Sequence, residues 1–165
     1  MTVYIILALV AAQRLGELIL AQRNTRALLE RGGQEVGSSH YPLFVLLHAL
    51  WLVTIAALLP KPPVIFWPLL GVYLVLQILR IWTVSSLGAY WTTRIITMPQ
   101  APLVRRGPYR FVRHPNYLIV IGEIAVLPLV FGEVAVAIVF SILNAALLTW
   151  RIRAENAALA PRRAL

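Results

Sequence analysis

The sequence predicts an all-α integral membrane protein of about five transmembrane helices, and two observations support this. Of the 165 residues, 60% are hydrophobic and only 13% are charged, whereas a soluble domain carries roughly 25% charged residues. The apolar residues also fall into long runs, and a membrane helix needs about 20 of them to cross about 30 Å of hydrocarbon. The surface that these features imply faces lipid rather than water.

The apolar runs place the helices in order. The first span covers residues 2–22, and we interpret it as a retained helix because it lacks the basic start and cleavage pattern of a signal peptide. Spans two and three cover residues 41–59 and 64–83. The tight PKPP turn between them makes them antiparallel neighbours. Glycines interrupt the polar segment at 23–40, so we expect a loop there.

The last apolar run, residues 116–150, is far too long for a single span. The triplet FGE at 131–133 interrupts it, which predicts a hairpin of two shorter helices at about 117–130 and 134–150. The tail that follows is amphipathic and then basic. The chain therefore ends on the membrane face from which the hairpin departs.

The distribution of positive charge predicts the orientation. Twelve arginines lie in three segments on one side, whereas the opposite side has only Lys61. By the positive-inside rule, the N-terminus is outside and the three basic segments are cytoplasmic, as in a bacterial inner membrane. Because the net charge of +9 falls mainly between apolar spans, it favours contact with membrane lipids over nucleic-acid binding. We expect one domain over residues 1–165.

Some charged residues lie within the predicted spans. Glu123 is about two turns into the fourth span, and a carboxylate in hydrocarbon is costly unless it is paired, protonated or functional. Glu123 therefore either has a catalytic role or forms an ion pair with Arg14 or Arg80. Arg14 and Glu17 share one helical face, so they either pair with each other or face neighbouring helices.

Metal and nucleotide chemistry find little support in the sequence. The chain has three scattered histidines, no cysteine and no aspartate, so no metal-ligand cluster or HExxH pattern is present. Glycine-rich phosphate-binding motifs are also absent. We expect His48 to be a packing residue in its apolar span, whereas His40 at a membrane boundary is open to either role.

The most informative stretch is PLVRRGPYRFVRHPNYL at residues 102–118, directly before the hairpin. The segment RIRAE follows the hairpin. Because a hairpin returns the chain to the face it left, Arg113, His114 and Tyr117 are expected close to Arg151 and Glu155. This juxtaposition predicts a polar pocket on the cytoplasmic face.

The motif RGPYRFVRHPNYL, followed by an apolar hairpin and RIRAEN, resembles the isoprenylcysteine carboxyl methyltransferase family, as does the preceding LGAYWTTRI. The resemblance covers about residues 84–160. It implies S-adenosylmethionine as methyl donor, with S-adenosylhomocysteine as product. The cofactor-binding residues carried over by motif are Tyr109, Arg113, His114, Pro115, Tyr117 and Glu155.

The resemblance also implies that Arg151 lies near the methyl acceptor, where its planar fork suits an oxyanion. An acceptor carboxylate is already ionised at pH 7 and needs no general base. A phenol or enol reacts faster when a general base removes its proton. Glu123 and His114 are the candidate bases.

The expected acceptor is lipophilic and enters from the bilayer. The chain is shorter than the eukaryotic members, and Asn156 stands where a second acidic residue is often found. It is therefore similar to bacterial relatives, some of which methylate long-chain polyketide or phenolic lipids. An isoprenylcysteine-like acid, phospholipid amine methylation, and a non-catalytic scaffold or small transporter remain alternatives.

Overall fold

A computed structural model describes residues 1–38, 41–98 and 104–163. This part of the chain is mostly helical and contains two short strands, so the predicted all-α membrane class is confirmed. In chain order the elements are α1 (Thr2–Glu30), β1 (Gln34–Val36), α2 (Tyr41–Leu58), α3 (Trp67–Leu87), β2 (Ile95–Thr97), α4 (Pro115–Val130) and α5 (Val134–Arg163). Short 3₁₀ turns lie at Gly88–Tyr90 and Gly107–Arg110.

Four of these helices, α1, α2, α3 and α5, are long and apolar enough to cross a membrane. The fourth helix, α4, has only 16 residues, so it is about 24 Å long and shorter than the hydrocarbon layer. It packs against α3 on one side and α5 on the other. Because its neighbours shield it, α4 is the most buried helix and forms the centre of the bundle.

Two predicted boundaries were wrong. Helix α1 continues to Glu30, eight residues past its predicted end, and α5 continues to Arg163. In both places the sequence is rich in Arg, Ala, Leu and Glu, which are strong helix formers. Thr25 and Leu28 are buried in the added turns of α1, so packing reinforces the local preference.

The α4–α5 hairpin has the predicted form. Gly132 in its turn has a φ of 80°, a conformation that glycine adopts without strain. At the crossing of α3 and α4, a Cβ on Gly122 would lie only 3.0 Å from the side chain of Leu76. The small residue therefore allows the two backbones to approach closely, as is typical of membrane helices.

Apolar side chains cover the outside of the bundle and fill most of its core, and the core also encloses a set of charges. We call Arg14, Glu17, Arg80 and Glu123 the buried charge cluster. Arg80 bonds to Glu17 at 2.5 and 2.6 Å and to Glu123 at 3.0 Å. Arg14 pairs with Glu123 at 2.8 Å and with Glu17 at 3.2 Å, and Gln77 donates to Glu123 at 2.8 Å. Of the alternatives that the sequence left open, the structure has the ion pair of Arg14 with Glu17 and the pairing of Glu123 with Arg14 and Arg80.

Replacing Glu123 by Leu should destabilise the folded protein strongly. Glu123 is fully buried, so its loss leaves two guanidinium groups to share one carboxylate, and breaking such a pair costs about 3–5 kcal/mol. Thermal unfolding in lipid nanodiscs measures the effect. The exposed Glu30 provides the matched control, because Glu30→Leu removes a carboxylate without an ion pair in the described residues. Equal unfolding temperatures for the two variants would contradict the structural importance of the cluster.

Candidate active site

The predicted pocket residues meet at one end of the bundle, where the arginines of 23–31, 94–113 and 151–153 also lie. We call this the basic end. Arg106 donates to the carbonyl of Ser86 at 2.6 Å, which ties the segment before α4 to the end of α3. Gly107 has a φ of 57°, and a Cβ there would lie 2.0 Å from the Ser86 hydroxyl. Only glycine fits this contact, and the contact positions the following turn.

Three side chains form the centre of the site. The Tyr117 hydroxyl donates a hydrogen bond to Glu155 and accepts one from the Nε of Arg151 at 2.8 Å. Arg151 also donates to the carbonyl of Thr93 at 2.7 Å. Its guanidinium lies 5.3 Å from the ring centre of Phe44 and 5.8 Å from that of Tyr117. Arg151 is thus held in one orientation by α2, α4 and the segment before β2.

His114 lies beside this group. Its ring stacks on Tyr117 with centroids 5.3 Å apart. Its Nδ1 lies 3.8 Å from a carboxylate oxygen of Glu155, and its Nε2 lies 3.3 Å from the side-chain oxygen of Asn156. Contacts across the hairpin thus orient the imidazole, in agreement with the expected proximity of the two motifs.

A cavity of about 620 Å³ opens beside these residues, within the size range of small-molecule sites. We call it the polar cavity. It brings together six of the eight residues singled out in the sequence: Tyr109, Arg113, His114, Tyr117, Arg151 and Glu155. Aromatic side chains of Tyr90 and Trp91 complete one wall.

A second cavity of about 350 Å³ lies deeper, among the membrane helices. We call it the apolar cavity, because residues such as Leu15, Leu52 and Leu148 form most of its wall. Its inner end is lined by His48 and by three members of the buried charge cluster. The two cavities share a wall, formed by Trp91, Thr92, Asn116, Tyr117 and Arg151.

The shared wall contains two buried polar atoms that have no hydrogen-bond partner among the described residues, the Oδ1 of Asn116 and the Nε1 of Trp91. Buried polar groups are normally paired, so these atoms mark a place where a ligand could bind. Asn24 fixes the position of Trp91 by donating to its carbonyl at 2.8 Å and to that of Gly88 at 3.1 Å.

Tyr109 contributes a phenol that stays protonated. Burial, followed by the nearby charge of Glu155, raises the pKa of Tyr109 above its ordinary value. At neutral pH its hydroxyl therefore serves as a hydrogen-bonding group rather than a base.

Two of the residues singled out in the sequence line neither cavity. Pro115 is buried as the first residue of α4, where it needs no backbone donor. Glu123 lies six residues beyond Tyr117, about 9 Å along α4, in the buried charge cluster. His40 lies outside the described residues. The described residues contain no group of three His, Cys, Asp or Glu that could hold a metal ion.

Sequence reasoning missed several residues of the site. Phe44 comes from α2, which no motif links to the hairpin, and Trp91 comes from the connection after α3, where it lies within LGAYWTTRI but was not singled out. A two-stranded ribbon adds a further link, in which β1 pairs antiparallel with β2. Arg94 bonds Glu35 at 3.0 Å and lies 4.6 Å from the ring centre of Tyr41. Asn116 could have been found, since it lies within the RHPNYL motif.

Comparison with known proteins identifies a family for the chain. The model of the isoprenylcysteine carboxyl methyltransferase (ICMT) family matches residues 69–161. The uncharacterized protein YpbQ of Bacillus subtilis (strain 168) is 40% identical over 160 residues, which cover 94% of this chain and 95% of that protein. No solved structure matches the chain.

Replacing Gly107 by Ala should disorder the polar cavity. The new Cβ clashes with Ser86 and adds a side chain at a positive φ, so the segment holding Tyr109 and Arg113 must move. Limited proteolysis should show faster cleavage in residues 104–113. As the control, Gly71→Ala places a Cβ in open space and should leave the cleavage pattern unchanged. Identical patterns in the two variants would contradict the contact between Gly107 and Ser86.

Proposed function

The chain belongs to the isoprenylcysteine carboxyl methyltransferase family of membrane methyltransferases, and we propose that it transfers a methyl group from S-adenosylmethionine to an oxygen of a lipophilic acceptor. One observation above all supports this proposal. A polar cavity at the basic end and an apolar cavity within the bundle share a wall around Arg151. This is the arrangement that a water-soluble donor and a bilayer-dissolved acceptor require.

The polar cavity suits the donor chemically. Arg113 lies where it could pair with the carboxylate of S-adenosylmethionine. Glu155 offers a carboxylate oxygen to the ammonium or hydroxyl groups of S-adenosylmethionine. The faces of Tyr90 and Trp91 suit both an adenine ring and a sulfonium cation. The unpartnered Oδ1 of Asn116 provides a further acceptor at the shared wall.

The apolar cavity suits the acceptor. Its volume of about 350 Å³ accommodates a head group and part of a chain, and its leucine-rich walls favour hydrocarbon. Arg151 lies at the end next to the polar cavity, where its guanidinium can hold the reacting oxygen, whether this belongs to a carboxylate, a phenol or an enol.

When bound, S-adenosylmethionine supplies a methyl group on a sulfonium whose leaving group is a neutral thioether. The task of the protein is to align the acceptor oxygen and exclude water. Transfer of that methyl group would form a C–O bond as the C–S bond breaks, with the electron pair of that bond left on sulfur; a carboxylate would release no proton, and the proton of a phenol or enol would pass to His114, the other candidate base. Glu123 faces two guanidinium groups rather than either cavity, so we assign it to the buried charge cluster rather than to proton transfer.

Binding of S-adenosylhomocysteine, measured by calorimetry on the protein in nanodiscs, tests the proposed donor site. Wild-type protein should bind saturably. Glu155→Gln should weaken binding roughly tenfold or more, because hydrogen bonds to charged groups contribute about 1.5–3 kcal/mol. The control Glu30→Gln changes an exposed carboxylate and should bind as the wild type does. Absence of binding by folded wild-type protein would overturn the proposal.

We also propose that the basic end faces the cytoplasm, where S-adenosylmethionine is made. The asymmetry of arginine supports this orientation. Since the chain has no cysteine, a single introduced thiol reports its own side of the membrane.

In intact bacterial spheroplasts, a membrane-impermeant maleimide should label Lys61→Cys and should not label Glu30→Cys. Both positions are exposed in the structure, so protein folding does not hide them. Labelling of both variants after the cells are opened is the control for thiol reactivity. The reverse pattern in intact cells would place the basic end outside.

A further inference from the structure

Asn116 is the second residue of α4 and lies in the wall that the polar cavity and the apolar cavity share. Its Oδ1 is buried and has no hydrogen-bond partner among the described residues. An amide oxygen has two lone pairs, and buried polar groups are normally paired. Asn116 therefore presents a free acceptor at the place where the two cavities meet.

The other four residues of the shared wall are Trp91, Thr92, Tyr117 and Arg151. The indole and guanidinium groups only donate hydrogen bonds. The tyrosine hydroxyl already donates to Glu155 and accepts from Arg151, and the threonine hydroxyl donates to the carbonyl of Arg94 at 2.7 Å. Within the described part of the chain, the Oδ1 of Asn116 is thus the side-chain acceptor of this wall that no hydrogen bond engages.

The charges at the shared wall give this acceptor its significance. Under the proposed function a methyl group crosses from the polar to the apolar cavity, so the sulfonium that carries it lies at this wall. Arg151 is a cation in the same wall and repels the sulfonium. Glu155 lines the polar cavity but not the apolar one. A sulfonium at the wall therefore gains from a neutral oxygen that carries partial negative charge.

We propose that the Oδ1 of Asn116 contacts the sulfonium methyl of S-adenosylmethionine and accepts C–H···O hydrogen bonds from it. The inference rests on the proposed function and deepens it, because it assigns recognition of the reacting group to one atom. S-adenosylhomocysteine lacks this methyl group and its positive charge and is otherwise the same molecule. Asn116 thus favours the methyl donor over the product, which competes for the same cavity.

The binding preference between these two ligands tests the inference. Each ligand is titrated calorimetrically into the protein in nanodiscs, without a methyl acceptor. The measured quantity is the ratio of the Kd for S-adenosylhomocysteine to the Kd for S-adenosylmethionine. Because the ligands differ only in the methyl group and its charge, this ratio cancels effects of a variant on folding or on the rest of the donor site.

Two substitutions should move this ratio in opposite directions. Asn116→Leu keeps the approximate size of the side chain and removes the oxygen, so the ratio should fall about fivefold, as expected for the loss of one or two C–H···O contacts. Asn116→Asp places a full negative charge beside the sulfonium, so the ratio should rise about tenfold or more.

Thr92→Val is the matched control in the same wall. It removes a hydroxyl whose hydrogen is already donated to the carbonyl of Arg94. The ratio should therefore stay within about twofold of the wild-type value. A fall as large as that in Asn116→Leu would mean that the general polarity of the wall sets the preference, and it would overturn the inference.

The remaining outcomes separate this inference from the proposed function. A ratio in Asn116→Leu that equals the wild-type ratio overturns the inference, and so does a ratio in Asn116→Asp that is no higher than in the wild type. If S-adenosylhomocysteine binds saturably in these cases, the proposed donor site stands and only the role of Asn116 is lost. No saturable binding of either ligand by folded wild-type protein overturns the proposed function, and the inference with it.

Discussion

The buried charge cluster determines how the helices of this protein are arranged. Two arginines and two glutamates meet inside the bundle, contributed by α1, α3 and α4. In hydrocarbon each charge needs its partner at bonding distance, so these helices cannot rotate or slide independently. The same cluster closes the inner end of the apolar cavity. A structural requirement of the membrane thus also sets the depth to which a ligand can enter.

The short central helix α4 links this cluster to the candidate active site. Glu123 lies in the cluster and Tyr117 in the site, so one rigid element sets the distance between them. From Tyr117 the network passes to Arg151 and Glu155 on α5. Arg151 needs support from several elements because it is a buried cation, and it receives that support from a carbonyl, a hydroxyl and two aromatic rings.

Much of this could be predicted from the sequence because hydropathy and hairpin geometry are local properties. The apolar run 116–150, interrupted by FGE, predicted the α4–α5 hairpin. The hairpin in turn predicted that Tyr117 lies near Glu155. Helix ends were less predictable, since Thr25 and Leu28 are buried by contacts that no local pattern reveals. Phe44 and Trp91 reach the site only through tertiary packing of distant segments. The pairing of Glu123 was foreseen as one alternative, but the participation of both arginines was not.

The apolar cavity lies among the membrane helices, and this position determines the concentration scale on which its ligand is measured. Under the proposed function, a ligand of this cavity is a solute of the bilayer before it binds, so it reaches the protein by diffusion in two dimensions. The quantity that governs occupancy is then its mole fraction among the lipids rather than its molarity in the sample. Adding inert lipid dilutes such a ligand at constant total amount, whereas it leaves the concentration of a ligand of the polar cavity unchanged. The two cavities therefore respond to different concentration scales although they share one wall.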